Sequence, residues 1–186
     1  MRTIEIRRHC LTKKDETRGK GSHLSAEGVT QARRIGEQIG PFDWVLTSHV
    51  PRTLETAIAM GFAVDDQLDV LGTIPAEVWN EIGHQERWTW AEPFVVFARI
   101  IGQDGATARM GRQQRATWIQ ALESVPFDGR VLIISHGRVI EAGLVTCFSD
   151  ADFATWGAPF QHGEGIQMGY DDGRFTHIQF RRNTPL

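Results

Sequence analysis

Apolar and polar positions along the chain fall into two periods, and they switch repeatedly. The stretch Thr3 to Arg8, with Ile4-Glu5-Ile6 alternating, predicts a first strand. Cys10 to Leu24 is polar, with Lys13, Lys14, Arg18, Lys20 and two glycines, and predicts a loop. Ser25 is then a candidate N-cap, with Glu27 in the first turn where the helix dipole favours negative charge. Val29, Ala32, Ile35, Gly36 and Ile39 keep helical spacing until Gly40-Pro41 stops the helix. Trp44 to Thr47 predicts a short buried strand. Pro51 suits the first position of a helix that continues from Arg52 to Gly61, with Leu54, Ala57 and Ile58 turned inward. Leu68 to Leu71 predicts a third strand.

Ile74 to Ile101 is less regular, and Trp79, Trp88, Trp90 and Phe94 crowd into it. These aromatics read either as helical core or a packed cap, or as walls of a substrate pocket. Beyond them, Thr107 to Ser124 predicts a helix, and Pro126-Phe127-Asp128-Gly129 a turn. Arg130 to Ser135 is the clearest strand, and Val139 to Phe148 returns as a helix. Gly165 to Tyr170 and Arg174 to Phe180 alternate and are joined by Asp171-Asp172-Gly173 as a hairpin. Strands alternating with helices predict an α/β fold: a three-layer sandwich with a mostly parallel central sheet and helices on both faces. No repeat or linker divides the chain, so residues 1–186 are expected to form one domain, with 74–103 as a candidate cap over the active site.

Composition narrows the partners. The formal net charge is −3, which gives no nucleic-acid footprint. No apolar run is long enough to span a membrane, and the N-terminus runs straight into a strand, so a cytoplasmic enzyme without membrane or nucleic-acid partners is expected. Cys10 and Cys147 are too few for a disulfide scaffold.

Two strings carry the chemistry. Arg7-Arg8-His9-Cys10 follows the first strand, and Ser135-His136-Gly137-Arg138 follows the clearest one. Each sets a histidine where a strand ends, the edge at which open α/β sheets bind ligands. Arg52 lies just past a third strand end, and arginine forks match phosphate oxygens. A neutral imidazole flanked by such cations can attack phosphorus and carry the phosphoryl group covalently, while a carboxylic acid protonates the leaving oxygen. No carboxylate cluster suits magnesium and no His/Cys spacing suits zinc, so neither metal nor cofactor is expected. Each signal is weak alone: an Arg-His dipeptide occurs by chance in about a third of chains this long. Their order and their placement at three strand ends carry the inference. His23, His49, His84, His162 and His177 read as surface or supporting residues.

With these motifs the chain resembles the histidine phosphatase superfamily, the group that includes the cofactor-dependent phosphoglycerate mutases. The family opens with a strand and Arg-His-Gly, here Arg8-His9-Cys10 with cysteine in the glycine place. Its Leu-Thr/Ser…Gly…Gln-Ala helix start is matched by Leu24-Ser25-Ala26-Glu27-Gly28-Val29-Thr30-Gln31-Ala32. Its Ser-Pro-x-x-Arg-x-x-x-Thr-Ala pattern is matched from Ser48 through Arg52 to Thr56-Ala57, with proline shifted to Pro51. Its strand and Ser-His-Gly are Leu132 to Gly137.

The resemblance implies a phosphoglycerate mutase-like fold with His9 as the phosphorylated nucleophile. It implies Arg8, Arg52, His136 and Gly137 as the rest of the phosphate pocket. The family's acid usually lies in a Glu-x-x-x-Gly stretch after the third strand, a string this sequence lacks; Glu77 comes closest by position, Glu81 is the alternate, and Glu141 and Glu164 stand further off. The expected activity is that of a metal-independent phosphatase acting through a phosphohistidine intermediate on a small phosphorylated metabolite or a phosphoprotein, phosphohistidine included. The alternative is a phosphate-binding or regulatory module with little or no turnover. A phosphoglycerate mutase fits less well, because the family's mutases carry longer enclosing insertions.

Overall fold

The computed structural model describes residues 1–13, 23–83 and 90–183; Lys14, Arg18, Lys20, His84 and Trp88 lie outside the described residues. Six strands, β1 (Arg2–Arg8), β2 (Trp44–Thr47), β3 (Asp66–Gln67), β4 (Arg130–Ser135), β5 (Gly165–Asp171) and β6 (Arg174–Arg181), form one sheet in the order β3-β2-β4-β1-β5-β6. β3, β2, β4 and β1 are mutually parallel, and β5 and β6 complete the sheet antiparallel. Asp172 and Gly173 make the β5–β6 turn with φ of 46° and 77°, the pair of left-handed conformations that a two-residue hairpin loop of matching twist requires.

Period-two alternation in β4 splits the interior into two layers. Val131 and Ile133 face one core, with Ile4, Ile6 and Leu46 of the neighbouring strands. Leu132 and Ile134 face the other, with Val45. The first layer is covered by α3 (Ala76–Ile82), α4 (Pro93–Ile101), α5 (Ala106–Glu123) and α6 (Val139–Cys147), and the second by α1 (Ala26–Gly36) and α2 (Pro51–Ala59). This is the expected three-layer sandwich. Phe94 and Phe97 of α4 are fully buried, and Trp90 meets Phe97 edge-on. Each such ring contributes about 1.5–3 kcal/mol by leaving water. These aromatics of the Trp-rich segment are therefore core, while Trp79 is half-buried beneath the Arg138 guanidinium, 5.1 Å above its ring.

Three elements differ from expectation. The third strand is Asp66–Gln67, and Asp69–Leu71 forms a 3-10 turn instead of a strand. The turn drives Leu71 into the core, and the Ser135 hydroxyl donates to its carbonyl at 2.6 Å. Helix α1 ends at Gly36, not Ile39; an added Cβ at Gly36 would lie 1.9 Å from the Met60 carbonyl oxygen, so the missing side chain lets this end of α1 lie against the end of α2. In α2 the inward face is Thr53, Thr56 and Ala57, whereas Ile58 is 58% exposed. The apolar stripe gives way to hydroxyls because this helix borders a polar site.

Candidate active site

Because β1, β4 and β2 are parallel, their C-terminal ends share one edge, with Arg8 level with Ser135 and Thr47 level with Ile134. The residues just past those ends converge: His9 after β1, Ser48 and then Arg52 after β2, His136 after β4. His9 and His136 are each 6% exposed, with ring centroids 5.3 Å apart. Arg52 lies between them, its Nε donating to His9 Nε2 at 3.0 Å and its terminal nitrogen reaching His136 Nδ1 at 3.2 Å.

These partners assign the tautomers. The Cys10 carbonyl can only accept, so His9 Nδ1 carries the proton it presents to that oxygen at 2.9 Å, and Nε2 keeps its lone pair toward Arg52. The bond uses only the backbone of Cys10. His136 likewise turns Nδ1 toward Arg52 and donates from Nε2 to the Ser48 hydroxyl at 2.9 Å. Ser48 in turn contacts the Thr53 hydroxyl at 2.8 Å. Gly72 leaves room for this arrangement: an added Cβ would stand 2.6 Å from Ser48 Cβ and 3.2 Å from His136 Nε2.

Burial, then His136, Arg52 and Arg8, holds the His9 imidazole well below its ordinary pKa. Burial and the same two arginines bring His136 down to about 3. Both rings are therefore neutral at pH 7. Arg8 donates to the Phe160 carbonyl at 2.7 Å, and its buried Nε has no hydrogen-bond partner among the described residues. An N–H buried without an acceptor is costly, and an anion placed there would satisfy it. Gly137 adjoins this guanidinium, an added Cβ falling 3.5 Å from Arg8 Cδ, Cζ and Nε.

The candidate acids lie elsewhere. Glu77 is exposed on the first turn of α3. Glu81 accepts from the backbone N–H groups of Ala106 and Thr107 at 2.6 and 2.8 Å, closing the N-terminus of α5. Glu141 is fully buried, and burial raises its pKa; its oxygens take the N–H groups of Arg138 and Phe160. Glu164 accepts from Gln161 N, Asn183 N and Arg182. Among the described residues no carboxylate is bonded to the rings of His9, His136 or His162.

His162, expected as a surface or supporting residue, belongs here. His162 lies with its ring centroid 5.2 Å from that of His9, and its Nε2 is 3.5 Å from the Arg8 guanidinium. The available signal was its Gly163 neighbour at the entry to β5, a His-Gly pair like His136-Gly137. Ser48 and Thr56 were also passed over; the Thr56 hydroxyl accepts from Cys10 N at 3.0 Å and fixes the loop behind His9. His49 and His177 are exposed, and His23 pairs at the surface with Glu55. Among the described residues no group of three or more His, Cys, Asp or Glu is placed to hold a metal ion, and no helix is long and apolar enough to cross a membrane.

Fold and pocket together define a phosphoglycerate mutase-like α/β protein with an anion-receptive pocket at the parallel strand ends. The chain belongs to the histidine phosphatase superfamily (branch 1), whose family model matches residues 4–182. Its fold is similar to that of the Entamoeba histolytica phosphoserine phosphatase in complex with 3-phosphoglyceric acid, at a TM-score of 0.69 and 18% identity over 98% of each chain. It is also similar to Bacillus stearothermophilus YhfR, at 0.69 and 21% identity over 100% of this chain and 98% of that one. The mycobacterial glucosyl-3-phosphoglycerate phosphatase complexed with VO3 matches at 0.66 and 18% identity over 98% and 100%. At these identities the likenesses establish the fold. No curated protein matches the chain by sequence.

Proposed function

We propose that the protein is a metal-independent phosphomonoesterase that works through a phosphohistidine on His9. The observation that carries this reading is the state of His9: a neutral ring, its Nδ1 proton committed to the Cys10 carbonyl, its Nε2 lone pair held against Arg52. Arg52, Arg8 and His136 surround the position that a phosphoryl group on Nε2 would take. Two guanidinium groups supply the charge stabilisation that a cation provides in other phosphoryl-transfer sites. The arriving phosphate offsets the cationic field on His136, which can then take a proton and donate to a phosphoryl oxygen. Phosphatases among the structurally similar proteins support a hydrolase reading. The substrate class is a small phosphorylated metabolite, with a phosphoprotein as the competing possibility.

The test is to quench turnover of labelled substrate and treat the protein with acid or alkali. A phosphoramidate is lost in acid and survives alkali; label that survives acid would refute His9 as the carrier. Steady hydrolysis of p-nitrophenyl phosphate after exhaustive chelation is expected. Vanadate binding with no turnover would identify a phosphate-binding module instead.

A further inference from the structure

We propose that His162 moves the proton to the leaving oxygen and from the attacking water in this pocket. The inference rests on the phosphohistidine reading above. It starts from a gap: the pocket holds a nucleophile and cations but no bonded carboxylate among the described residues. Glu81, Glu141 and Glu164 are occupied by backbone N–H groups. Among the described residues His162 is a proton-transfer group that does stand beside His9, at 5.2 Å between ring centroids.

The loop that carries it is held by its backbone. The His162 carbonyl accepts from Gln31 Nε2 at 2.7 Å and from Asn183 Nδ2 at 3.1 Å. The Gly163 N–H donates to the Arg8 carbonyl at 3.1 Å, and the Gly163 carbonyl accepts from Arg7 at 2.9 Å. Gly163 has φ of 78°, and an added Cβ would lie 2.8 Å from Ile35 Cδ1, so a side chain here would be strained and would displace Ile35. Among the described residues the imidazole has one hydrogen-bond contact, the long one to Arg8, and lies against the His9 ring. It is half-buried, more open than His9 or His136, as a group that exchanges protons with an entering alcohol or water must be.

Among the described residues the charged and titratable groups facing the ring are Arg8 and His9 from the end of β1 and Arg52 from α2. Burial, then Arg8 and Arg52, brings His162 down to about 4 in the unliganded pocket. A phosphate dianion neutralises those two cations and favours the imidazolium. The charge state then suits each step. The His9 Nε2–P bond forms as the P–O bond to the leaving group breaks; that electron pair goes to the leaving oxygen, which takes the His162 proton and departs as an alcohol. The neutral His162 next removes a proton from water. The water oxygen bonds to phosphorus, the N–P bond breaks with its electron pair returning to His9, and inorganic phosphate leaves with His162 protonated as at the start.

The experiment compares phenyl phosphate with p-nitrophenyl phosphate, substrates of one shape whose leaving groups differ in their need for a proton. kcat/KM, which reports the step that expels the phenol, is measured for wild type, His162→Gln and Glu77→Gln. The expected result is a His162→Gln loss at least about tenfold larger on phenyl phosphate, on the scale of general acid catalysis. Glu77→Gln should not discriminate between the two substrates, since Glu77 is exposed on α3. As an independent readout, imidazole added to His162→Ala should restore phenyl phosphate turnover, which a merely structural histidine would not allow. Equal losses on both substrates together with no imidazole rescue, or the selective loss appearing in Glu77→Gln instead, would overturn the proposal. The phosphoenzyme trap separates the two levels: if wild type carries no acid-labile label, the underlying reading fails. If it does and the losses are uniform, only the role of His162 fails.

Discussion

His9 and His136 reach the pocket from the C-terminal ends of the parallel strands β1 and β4, whereas His162 reaches it from the residues leading into β5. The two routes arrive at one place for a topological reason. β5 runs antiparallel to β1, with Gly165 level with Arg7, so the start of β5 lies at the edge where the parallel strands end. A sheet that is parallel in one half and antiparallel in the other can therefore supply a pocket from strand exits and strand entries together. The two sides also differ in how the rings are held. On the parallel side both rings are fixed by hydrogen bonds at two nitrogens. On the β5 side the loop is held by its backbone, and among the described residues the His162 ring has one long hydrogen-bond contact, to Arg8; under the proposed roles this suits nucleophilic attack on one side and proton exchange on the other.

The sharpest way to break this division is His9→Ala. If the parallel side carries the covalent chemistry, turnover should fall on the order of 10⁴-fold or more, the scale of losing a nucleophile. Vanadate binding, which relies on Arg8, Arg52 and His136, should persist in the variant. Residual activity within tenfold of wild type would move the nucleophile elsewhere. Arg52→Ala comes next. Arg52 touches both fixed histidines, so kcat/KM should drop about 10²–10³-fold, the cost of removing one preorganised electrostatic stabiliser. Arg52→Lys should recover only part, because an ammonium cannot hold both rings with a planar fork. Full recovery with lysine would reduce Arg52 to a point charge.

A third measurement reads both sides at once. His136 and His162 titrate near 3 and 4 in the folded protein, and His9 is also well below its ordinary value. In the unfolded chain each titrates near 6.5. As pH falls through about 6.5 the unfolded chain takes up protons that the folded protein refuses, so stability present above that pH is lost. The loss should continue until the folded rings themselves begin to protonate, near 4 for His162 and 3 for His136. Denaturant melts between pH 8 and 4 check this, and His162→Gln should flatten the slope by up to one histidine's share. A smaller change is expected of Ser48→Ala. It removes the acceptor of the His136 Nε2 proton, worth about 1 kcal/mol, or roughly fivefold in kcat/KM, while leaving p-nitrophenyl phosphate turnover measurable.

The same contrast explains which parts of the molecule were legible in the sequence. β2 and β4, bounded as expected, are short apolar runs closed by turn residues, and Ser25 caps α1 by accepting from Gly28 N at 3.0 Å. His9, Arg52 and His136 were legible because strand, loop and charged residue follow each other in sequence. His162 was not, since nothing local says that β5 is antiparallel to β1; that is a property of pairing across the sheet. Ile58 was misplaced because the apolar periodicity of α2 competes with Thr53 and Thr56, whose hydroxyls serve the site. The Trp-rich segment resisted reading because its aromatics answer to partners far along the chain: Phe94 packs on Trp156, Phe160 and Phe180.

The smallest effect is expected at Cys10, where the comparison can still be sharpened. Cysteine stands here in the family's glycine place, immediately beside His9, and a reactive thiol would give the parallel side a second chemical group. The geometry argues against that. The side chain is fully buried, and burial pushes its thiol up to about 12, so it is protonated at any working pH. What His9 needs from this residue is its carbonyl, and what Thr56 needs is its N–H; glycine supplies both. Cys10→Gly should therefore change kcat/KM by no more than a few-fold. It should cost about 1–2 kcal/mol of stability, through the lost packing of a small buried side chain and the added freedom of the unfolded backbone. Thiol-directed reagents should leave the native enzyme active for the same reason. A Cys10→Gly variant that melts like wild type but has lost nearly all turnover would show that the thiol takes part in the chemistry, and that the parallel side is more than a rigid frame for two imidazoles and an arginine.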